Sequence, residues 1–491
     1  MASDTDTAST YLGRKGYSMF KSCMSVQEQG HVRASLTVRP YVPQAPVQAP
    51  SFPVYLESKH KLYVPRYYGV DTYGVPDEVR LSPGEAVNLR FTGDLRDYQN
   101  EIVSCFMDSI DESRGGGLLE IPCGRGKTVM ALKIIAAIGR KTLVIVHKGF
   151  LMNQWRERIS QFLPDARVGT IQGQVVDIED KDIVIGMLQS LSLKTYPSGM
   201  FDCFGFTVVD ECHHISSEVF CRSLQAIVTP YTLGLSATMD RKDGLTRVFK
   251  MFLGDIVYSE QRKADDDVLV RAIHYASDDP EYNETKTDWR GRPMLSSMLS
   301  NACKHAPRTA FVARVLRSEL SERPGQQLMV LAQQKNILVD LYKELTKNPS
   351  VACGFYVGGM KDSDLKASEA RTVILATYAM AAEALDIKTL TTLVLATPRT
   401  DVTQAVGRIL RVKHDRPLVI DIVDSHGVFQ RQWGKRCAYY RKNKYRIVET
   451  SSEAYGTGSW DLVYEKGMKR AKKPKTADEL PAGVCLLNVH G

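Results

Sequence analysis

The segment of residues 121–128, with the sequence Ile-Pro-Cys-Gly-Arg-Gly-Lys-Thr, restricts the possible folds of this chain most strongly. An apolar, strand-like run precedes it at 118–121, and a helix-like run follows at 129–138. Glycines in a turn between a strand and a helix let backbone N–H groups approach phosphate oxygens, and the helix N-terminus adds positive potential. The pattern therefore predicts an α/β fold with a phosphate-binding loop.

The predicted phosphate-binding residues of this loop are Gly124, Arg125, Gly126, Lys127 and Thr128. The Lys127 ammonium suits the β- and γ-phosphates of a nucleoside triphosphate, and the Thr128 hydroxyl suits Mg²⁺. The loop departs from the general G-x-x-x-x-G-K-[ST] pattern, because Ile121 stands where the first glycine would fall. A solvated turn of glycine and lysine is the alternative interpretation.

Apolar runs that alternate with helix-period segments form two series along the chain. The first series lies at 118–121, 142–146, 182–187, 206–209 and 231–235, and the second lies at 328–332, 351–357, 372–376, 392–396 and 417–423. Alternation of this kind predicts parallel sheets covered by helices. We therefore expect an N-terminal module at 1–90 with some β structure, α/β domains at 91–262 and 263–450, and a basic flexible tail at 451–491.

Composition narrows the function classes. The chain has 491 residues and a net charge of +8, and its ten cysteines include no C-x-x-C pair, which argues against a structural zinc. No apolar run is long enough to span a membrane, so we expect no membrane partner.

Residues 426–447 contain lysines and arginines but no Asp or Glu, which favours a polyanionic partner. Aromatic residues in the same segment either stack on bases or pack a helix, and packing is favoured.

Two carboxylates follow the apolar run at 206–209. Asp210 and Glu211 are predicted to lie at the carboxyl edge of the sheet, next to the phosphate loop. There Asp210 suits Mg²⁺ coordination, and Glu211 suits orientation or deprotonation of the attacking water. A helix N-cap is the alternative for such a pair. Its position downstream of the phosphate loop favours a catalytic site.

A glutamine and two arginines in the second series form the pattern Gln404-x-x-Gly407-Arg408-x-x-Arg411. On a helix, Arg408 and Arg411 would lie one turn apart on the same face. A solvated basic face is one interpretation. The other is that these guanidinium groups stabilise the γ-phosphate in the transition state when two domains close.

Taken together, these motifs resemble those of the superfamily 2 helicases and translocases. The motifs occur in the order of that family: a Q motif at 95–99, motif I at 124–128, motif Ia at 144–155, motif II as Asp-Glu-Cys-His at 210–213, motif III at 236–238, motif V at 377–386 and motif VI at 404–411. The forms of motifs I, III and VI are similar to the XPB-like, DNA-directed branch. The stretches 378–386, 396–411 and 421–446 resemble helicases of large nucleocytoplasmic DNA viruses related to the poxviral transcript-release helicase.

The resemblance implies two tandem RecA-like parallel-sheet domains with ATP and Mg²⁺ as cofactors. It implies adenine contact by Gln99, nucleotide contact by Asp386 and Gln404, and coupling by Ser236 and Thr238. The nucleic-acid contacts that it implies are Lys148, Gln154, Gln189, Ser190 and Thr377, although Gln189 and Ser190 equally suit helix capping. Ala384 replaces the glycine that is common in motif V.

The function implied by the resemblance is an ATP-dependent DNA helicase or translocase of viral transcription, with replication or repair also open. The expected partners are duplex or single-stranded DNA and the viral transcription machinery, and RNA or an RNA–DNA hybrid stays open. We expect a monomer in the host cytoplasm or nucleus, or packaged in the virion. An ATP-clamped transcription scaffold and an RNA helicase are the alternatives. The cluster Lys469-Arg470-Ala471-Lys472-Lys473-Pro474-Lys475 suits a solvated tail or an import signal.

Overall fold

A computed structural model describes residues 9–41, 49–110, 115–122, 124–214, 218–239, 245–260, 267–383, 387–410, 414 and 416–468. Contacts divide the chain into two compact units, one made mainly of residues up to 263 and the other mainly of residues from 264 onward. The first unit contains the N-terminal module and the first α/β domain. In the described ranges, no helix is both long and apolar enough to cross a membrane.

The N-terminal module is a small mixed structure built around a five-stranded sheet. Its strands are β1 (Thr10–Gly13), β2 (Gly16–Phe20), β3 (Thr37–Val38), β4 (Phe52–Pro53), β5 (Leu56–Glu57), β6 (Lys61–Val64) and β7 (Glu78–Val79), and its helices are α1 (Val26–Ser35) and α2 (Arg66–Tyr73). The five-stranded sheet has the order β5-β6-β2-β1-β7, and β3 pairs with β4. Helix α1 begins with a capping box, in which Ser25 and Glu28 each bind the other's backbone N–H.

The first α/β domain is an eight-stranded sheet with helices packed on it. Its strands are β8 (Gly116–Glu120), β9 (Thr142–Val146), β10 (Val168–Gln172), β11 (Val175–Asp177), β12 (Ile183–Met187), β13 (Phe206–Asp210), β14 (Tyr231–Ser236) and β15 (Ile256–Ser259). Its helices are α3 (Asp97–Ser109), α4 (Lys127–Ile138), α5 (Gly149–Phe162), α6 (Leu188–Leu193), α7 (Glu218–Ala226) and α8 (Thr246–Leu253). The order is β11-β10-β12-β9-β13-β14-β8-β15, and only the β10–β11 pair is antiparallel.

The second unit contains another eight-stranded sheet. Its strands are β16 (Leu269–Tyr275), β17 (Gln327–Ala332), β18 (Cys353–Tyr356), β19 (Val373–Thr377), β20 (Leu390–Leu395), β21 (Leu418–Asp424), β22 (Arg446–Ser451) and β23 (Asp461–Tyr464). Its helices are α9 (Pro280–Asn283), α10 (Leu295–Lys304), α11 (Ala306–Glu322), α12 (Lys335–Leu345), α13 (Asp362–Glu369), α14 (Tyr378–Glu383), α15 (Thr403–Val406) and α16 (Gly427–Lys442). The order is β18-β19-β17-β20-β21-β16-β22-β23, and β23 alone runs antiparallel to its neighbour.

The two sheets confirm the predicted fold class of two parallel-sheet α/β domains after a small module with β strands. The central strands β9, β12 and β13 of the first domain are buried along their whole length, as are β17 and β21 of the second. Strands covered by helices on both faces need apolar side chains at every position, which is why they stand out in the sequence.

The C-terminal part of the second domain differs from the expected tail. Strand β23 lies at 461–464, so the sheet continues past residue 450 into the segment that we expected to be flexible. The basic cluster at 469–475 lies outside the described residues. In the basic segment 426–447, Phe429, Trp433, Tyr440 and Tyr445 are all buried, which confirms the packing interpretation for these four aromatic residues.

Candidate active site

The phosphate loop joins β8 to α4 and depends on glycine at two positions. Gly124 and Gly126 have φ angles of +83° and +84°, a left-handed region that other residues occupy only with strain. A Cβ atom on Gly126 would also lie 2.4 Å from Nε2 of Gln99. Because Gly126 directly precedes the first residue of α4, its conformation determines how the helix N-terminus is presented to a phosphate.

Two residues of α3 and Glu260, directly after β15, contact the phosphate loop. The Gln99 amide nitrogen and the Tyr98 hydroxyl both donate to the Arg125 carbonyl, at 3.0 Å and 3.2 Å. The Arg125 guanidinium lies 3.7 Å from the centre of the Tyr98 ring and 2.6 Å from Oε1 of Glu260. The predicted Q-motif residue therefore connects helix α3 to the loop. Its predicted contact with adenine stays a prediction.

Asp210 ends the buried strand β13 and is itself buried. The Trp155 indole N–H donates to its Oδ2 at 2.9 Å, and the Glu211 backbone N–H donates to its Oδ1 at 3.0 Å. Burial, and then the nearby charge of Glu211, raise the pKa of Asp210 to about 6. Trp155 was not among our predicted site residues, because nothing in the local sequence indicates that α5 faces this carboxylate.

Glu211 lies between two basic side chains of the same domain. Its Oε1 accepts a hydrogen bond from Lys127 Nζ at 3.1 Å, and its Oε2 lies 3.5 Å from His213 Nδ1. The Glu211 backbone has a φ of +50°, which a residue with a Cβ adopts only at a cost. Strain of this kind in a non-glycine residue is characteristic of functional sites.

A chain of hydrogen bonds leads from motif II to motif III. His213 Nδ1 lies 2.8 Å from Ser236 Oγ, which donates to the Thr238 carbonyl at 2.7 Å and accepts from the Thr238 N–H at 3.2 Å. The structure thus brings Ser236 and Thr238 together with Glu211 through His213. Our residue predictions omitted His213, although it is the last residue of the Asp-Glu-Cys-His motif.

The oxygen donors of this site fit Mg²⁺. Mg²⁺ in nucleotide sites typically binds one or two protein oxygens, together with phosphates and waters. Asp210 offers a buried carboxylate, and Thr128 lies in the first turn of α4 beside Lys127. Within the described ranges, no cluster of three or more His, Cys, Asp or Glu residues forms an all-protein metal site.

Sequence comparisons identify the family. The family described as "Type III restriction enzyme, res subunit" matches residues 92–241. The mimivirus protein "Putative ATP-dependent RNA helicase L396" from Acanthamoeba polyphaga mimivirus is 34% identical over 89% of this chain and 86% of its own length. The chain belongs to this family of viral ATP-dependent helicases. It is an ATP-hydrolysing enzyme of superfamily 2.

Two more distant viral proteins that match this chain also have helicase names. "Putative helicase 161L" of Invertebrate iridescent virus 6 is 26% identical over 73% of this chain and 83% of its own length. "Putative ATP-dependent RNA helicase QP509L" of African swine fever virus, isolate Tick/Malawi/Lil 20-1/1983, is 27% identical over 77% of this chain and 80% of its own. The solved Pyrococcus furiosus Hef helicase domain has a TM-score of 0.45 and 14% identity over 70% of this chain and 98% of its own.

The first-domain residues that we predicted to contact nucleic acid lie after parallel strands of this helicase. Lys148 directly precedes α5, where burial lowers its pKa, and Gln154 lies partly exposed on the same helix. The Gln189 amide donates to the His147 carbonyl at 2.8 Å, and Ser190 Oγ accepts from the Gly173 N–H at 2.9 Å. Gln189 and Ser190 therefore make local structural bonds, and their predicted contacts with nucleic acid remain untested.

The second-domain predictions fall partly outside the described residues. Asp386 and Arg411 are not among them. Thr377 is the last residue of β19 and is partly exposed. Gln404 lies in α15, which ends at Val406, so Arg408 follows the helix in a turn rather than continuing it. Arg408 is buried, and its charge acts on Tyr356 of β18.

The segment 396–399, which leads from β20 toward motif VI, is held by side chains at each of its carbonyls. Ala396 accepts from Arg308 at 2.8 Å, Thr397 from the Tyr378 hydroxyl at 2.8 Å, Pro398 from Gln333 at 3.2 Å, and Arg399 from Arg436. The two arginines are buried and paired, Arg308 with Asp424 and Arg436 with Asp421. We did not predict this arrangement, because its donors come from four separate elements.

Proposed function

We propose that this helicase acts on DNA and couples ATP hydrolysis to movement along a duplex or to its unwinding. The observation that carries the proposal is the match of residues 92–241 to a restriction-enzyme family, since restriction enzymes act on DNA. The matched region contains the phosphate loop, Asp210 and Glu211. The XPB-like form of motifs I, III and VI supports the same substrate.

In the proposed mechanism, an incoming triphosphate takes Lys127 away from Glu211. The ammonium is 3.1 Å from that carboxylate, and a γ-phosphate offers it more negative charge. Glu211 is then released to orient the attacking water and accept its proton. Bound Mg²⁺, held by Asp210 and Thr128, would offset charge on the phosphate oxygens. When Glu211 loses its contact with Lys127, its contact with His213 would also change. The hydrogen bonds from His213 to Ser236 and from Ser236 to Thr238 would then shift in turn.

We assign the remaining predicted residues as follows. Gln99 would contact adenine, Gln404 and Asp386 the nucleotide, and Arg408 and Arg411 the γ-phosphate in the transition state. Lys148, Gln154, Gln189, Ser190 and Thr377 would contact the backbone of the nucleic acid. Because these contacts reach only the backbone of the nucleic acid, the enzyme would act on nucleic acid of any base sequence.

The test is ATP turnover measured with single-stranded DNA, duplex DNA and RNA, beside strand displacement. Lys127→Ala and Glu211→Gln should each lower stimulated turnover by about two to three orders of magnitude, because each removes a group that acts on the γ-phosphate or the water. Glu211→Gln should still bind nucleotide. Near-normal turnover in both variants would refute the proposed site, and stimulation by RNA alone would refute the proposed substrate.

An RNA helicase is the second candidate. The printed names of the mimivirus and African swine fever virus relatives specify RNA. Stimulation by RNA with no response to either form of DNA would favour this candidate. ATP turnover without strand displacement or movement on any substrate would instead favour an ATP-clamped scaffold.

We further propose a monomer that works with the viral transcription machinery, in the host cytoplasm or nucleus or within the virion. The likeness to viral helicases related to the poxviral transcript-release helicase supports this setting. Co-purification with the viral RNA polymerase from infected cells is the expected result. Its consistent absence from polymerase preparations, together with its presence on replicating viral DNA, would point to replication or repair instead.

A further inference from the structure

The five-stranded sheet of the N-terminal module has two different faces. One face is buried and contributes Leu12, Tyr17, Met19, Leu62 and Val64 to the interior. The side chains that alternate with them lie on the other face. We define the aromatic–basic face as Tyr11, Phe20, Lys61 and Tyr63 of this second side, together with Lys15 and Arg80 at its margins.

Strand pairing brings the aromatic rings of this face close together. Ser18 pairs with Tyr11 on one side and with Tyr63 on the other, while Phe20 pairs with Lys61. Tyr11, Phe20 and Tyr63 are all partly exposed, and the small Ser18 between the tyrosines is covered. Three rings on one face of an antiparallel sheet form a surface on which successive bases are able to stack.

Each of these rings already contacts a cation. Lys61 Nζ lies 4.7 Å from the centre of the Tyr11 ring and 4.2 Å from that of Phe20, and Arg80 lies 4.2 Å from Tyr11. Lys15 Nζ lies 5.0 Å from the Tyr63 ring. Exposed contacts of this type contribute only about 0.5–1 kcal/mol each, so a base is able to replace the cation, which then reaches a phosphate.

The electrostatic setting also favours an anionic ligand. Lys15, Lys59 and Arg80 are exposed around the rings. The neighbouring carboxylates have cationic partners: Glu57 binds Arg33 and Lys21, and Glu78 binds Arg80. The hydrogen bond from Arg33, followed by that from Lys21, lowers the pKa of Glu57 to about 2. A third carboxylate among the described residues, Asp77, accepts hydrogen bonds from Ser9 and Thr10. The positive charge of Lys15, Lys59 and Lys61 is not offset by these described carboxylates, and it attracts a polyanion.

We propose that the aromatic–basic face binds a single-stranded segment of the helicase's nucleic acid. Bases would stack on Tyr11, Phe20 and Tyr63, and phosphates would contact Lys15 and Lys61. Stacking and phosphate contacts do not depend on base identity, so this site would bind single strands of any base sequence. A helicase that moves along nucleic acid needs the same property. The inference rests on the proposed function, because it assumes a nucleic-acid substrate.

The first experiment compares two double variants that each remove two positive charges from the full chain. Lys15→Gln with Lys61→Gln removes two from the face. The control, called the α12 variant, is Lys343→Gln with Lys347→Gln, which removes two from exposed side chains at the end of α12 and just beyond it. Binding of fluorescent single-stranded DNA, single-stranded RNA and duplex DNA is measured by anisotropy without nucleotide. The slope of log affinity against log salt should fall by about 1.4 in the face variant, since each phosphate contact on a single strand contributes about 0.7.

The second experiment tests stacking. Tyr63→Leu keeps an apolar side chain but removes the ring face, and it should weaken single-strand binding about tenfold, within the range measured for one stacked base. ATP turnover without nucleic acid should stay unchanged in every face variant. Comparison of the two single strands shows whether the site prefers DNA or RNA.

The outcomes separate this inference from the proposed function. One outcome is that nucleic acid stimulates wild-type turnover, but the face variants bind single strands as well as the α12 variant does. This outcome refutes the single-strand site on the aromatic–basic face and leaves the proposed helicase function intact. A loss confined to duplex DNA also overturns the single-strand site. If the wild-type chain neither binds nor responds to any nucleic acid, both proposals fail. Thermal unfolding near the wild-type temperature excludes misfolding as the cause of weakened binding.

Discussion

Polar contacts form two regions of the molecule, the carboxyl edge of the first sheet and the segment 396–399 of the second domain. The charged groups of the two regions differ in how deeply they are buried. In the first domain, Lys127, Glu211 and His213 are partly buried and contact one another. In the second domain, the two arginines that hold segment 396–399 are buried with their carboxylate partners. The first arrangement consists of charges that a ligand is able to redirect, and the second consists of charges that no ligand reaches.

The two regions therefore differ in whether their ion pairs are able to exchange partners. Lys127 is able to exchange a carboxylate for a phosphate at little cost, because both states leave it paired. The Arg308–Asp424 and Arg436–Asp421 pairs have no such alternative, since separation would leave a buried charge without compensation. We therefore expect substitutions at the first edge to change turnover more than stability, and substitutions behind segment 396–399 to do the reverse.

The largest expected effect on stability comes from Arg308→Met. The change leaves Asp424 buried beside Tyr282 without its cation, at a cost of about 3–5 kcal/mol in the free energy of unfolding. Denaturant unfolding of the purified chain measures it. The double variant Arg308→Met with Asp424→Leu should recover most of the loss, because it removes both charges. A single variant as stable as the wild type would contradict the idea of a fixed region.

The next effect is expected at the phosphate loop. Gly126→Ala should weaken nucleotide binding about tenfold or more, since a left-handed conformation costs other residues about 1–2 kcal/mol and the new methyl group meets the Gln99 amide. Equilibrium binding of a fluorescent nucleotide measures it. Gly30→Ala is the matched control, because Gly30 lies in a helix with open space around its Cβ position. Equal affinity in both variants would refute a requirement for glycine in the loop.

Trp155→Phe should have a smaller effect on the same edge. It removes the indole N–H that donates to Asp210, at a cost of about 1–3 kcal/mol for the acceptor that loses its donor. If Trp155 positions the carboxylate for Mg²⁺, nucleotide affinity should fall with Mg²⁺ present and change little with EDTA. The exposed Trp289→Phe is the control for loss of a tryptophan. An equal fall in both conditions would indicate a packing role only.

Tyr378→Phe should have the smallest effect. It removes one of the four donors to segment 396–399 while keeping the ring, so the free energy of unfolding should fall by about 1 kcal/mol. Maximal turnover should decline slightly, with an unchanged Michaelis constant for ATP. Tyr455→Phe is the control, because that ring packs on Phe311 and Trp460 away from the segment. A larger loss of stability in the control would refute a special role for Tyr378.

Sequence alone predicted the parts of the molecule that carry local signals. Strands β9 and β13 are continuous apolar runs, and the glycines of the phosphate loop mark the turn that starts α4, so both were found at nearly the correct residues. Asp210 and Glu211 were found because they follow such a strand. Ser236 was placed by its motif, and the structure brings it to His213.

The features missed by the sequence analysis depend on long-range contacts. Strand β16 was missed, because the predicted second series began only at 328. Strand β23 lies in a polar segment that becomes a strand only by pairing with β22. The bond from Trp155 to Asp210 joins residues 55 positions apart, and Arg308 reaches Ala396 across 88. No spacing rule connects positions so distant, because their proximity is set by the order of strands in the sheet.

The attachment of the N-terminal module to the first domain has a practical consequence. Arg66 donates to the carbonyls of Thr229 and Pro230, at 3.2 Å and 2.6 Å, and the Tyr67 hydroxyl lies 2.7 Å from Thr232 Oγ1. These contacts come from a helix of the module. They end on Thr232 of β14, the strand that leads into motif III, and on the two residues directly before that strand. A chain shortened to begin at residue 91 would lose these contacts to β14, so a minimal motor made from this chain should keep its first ninety residues.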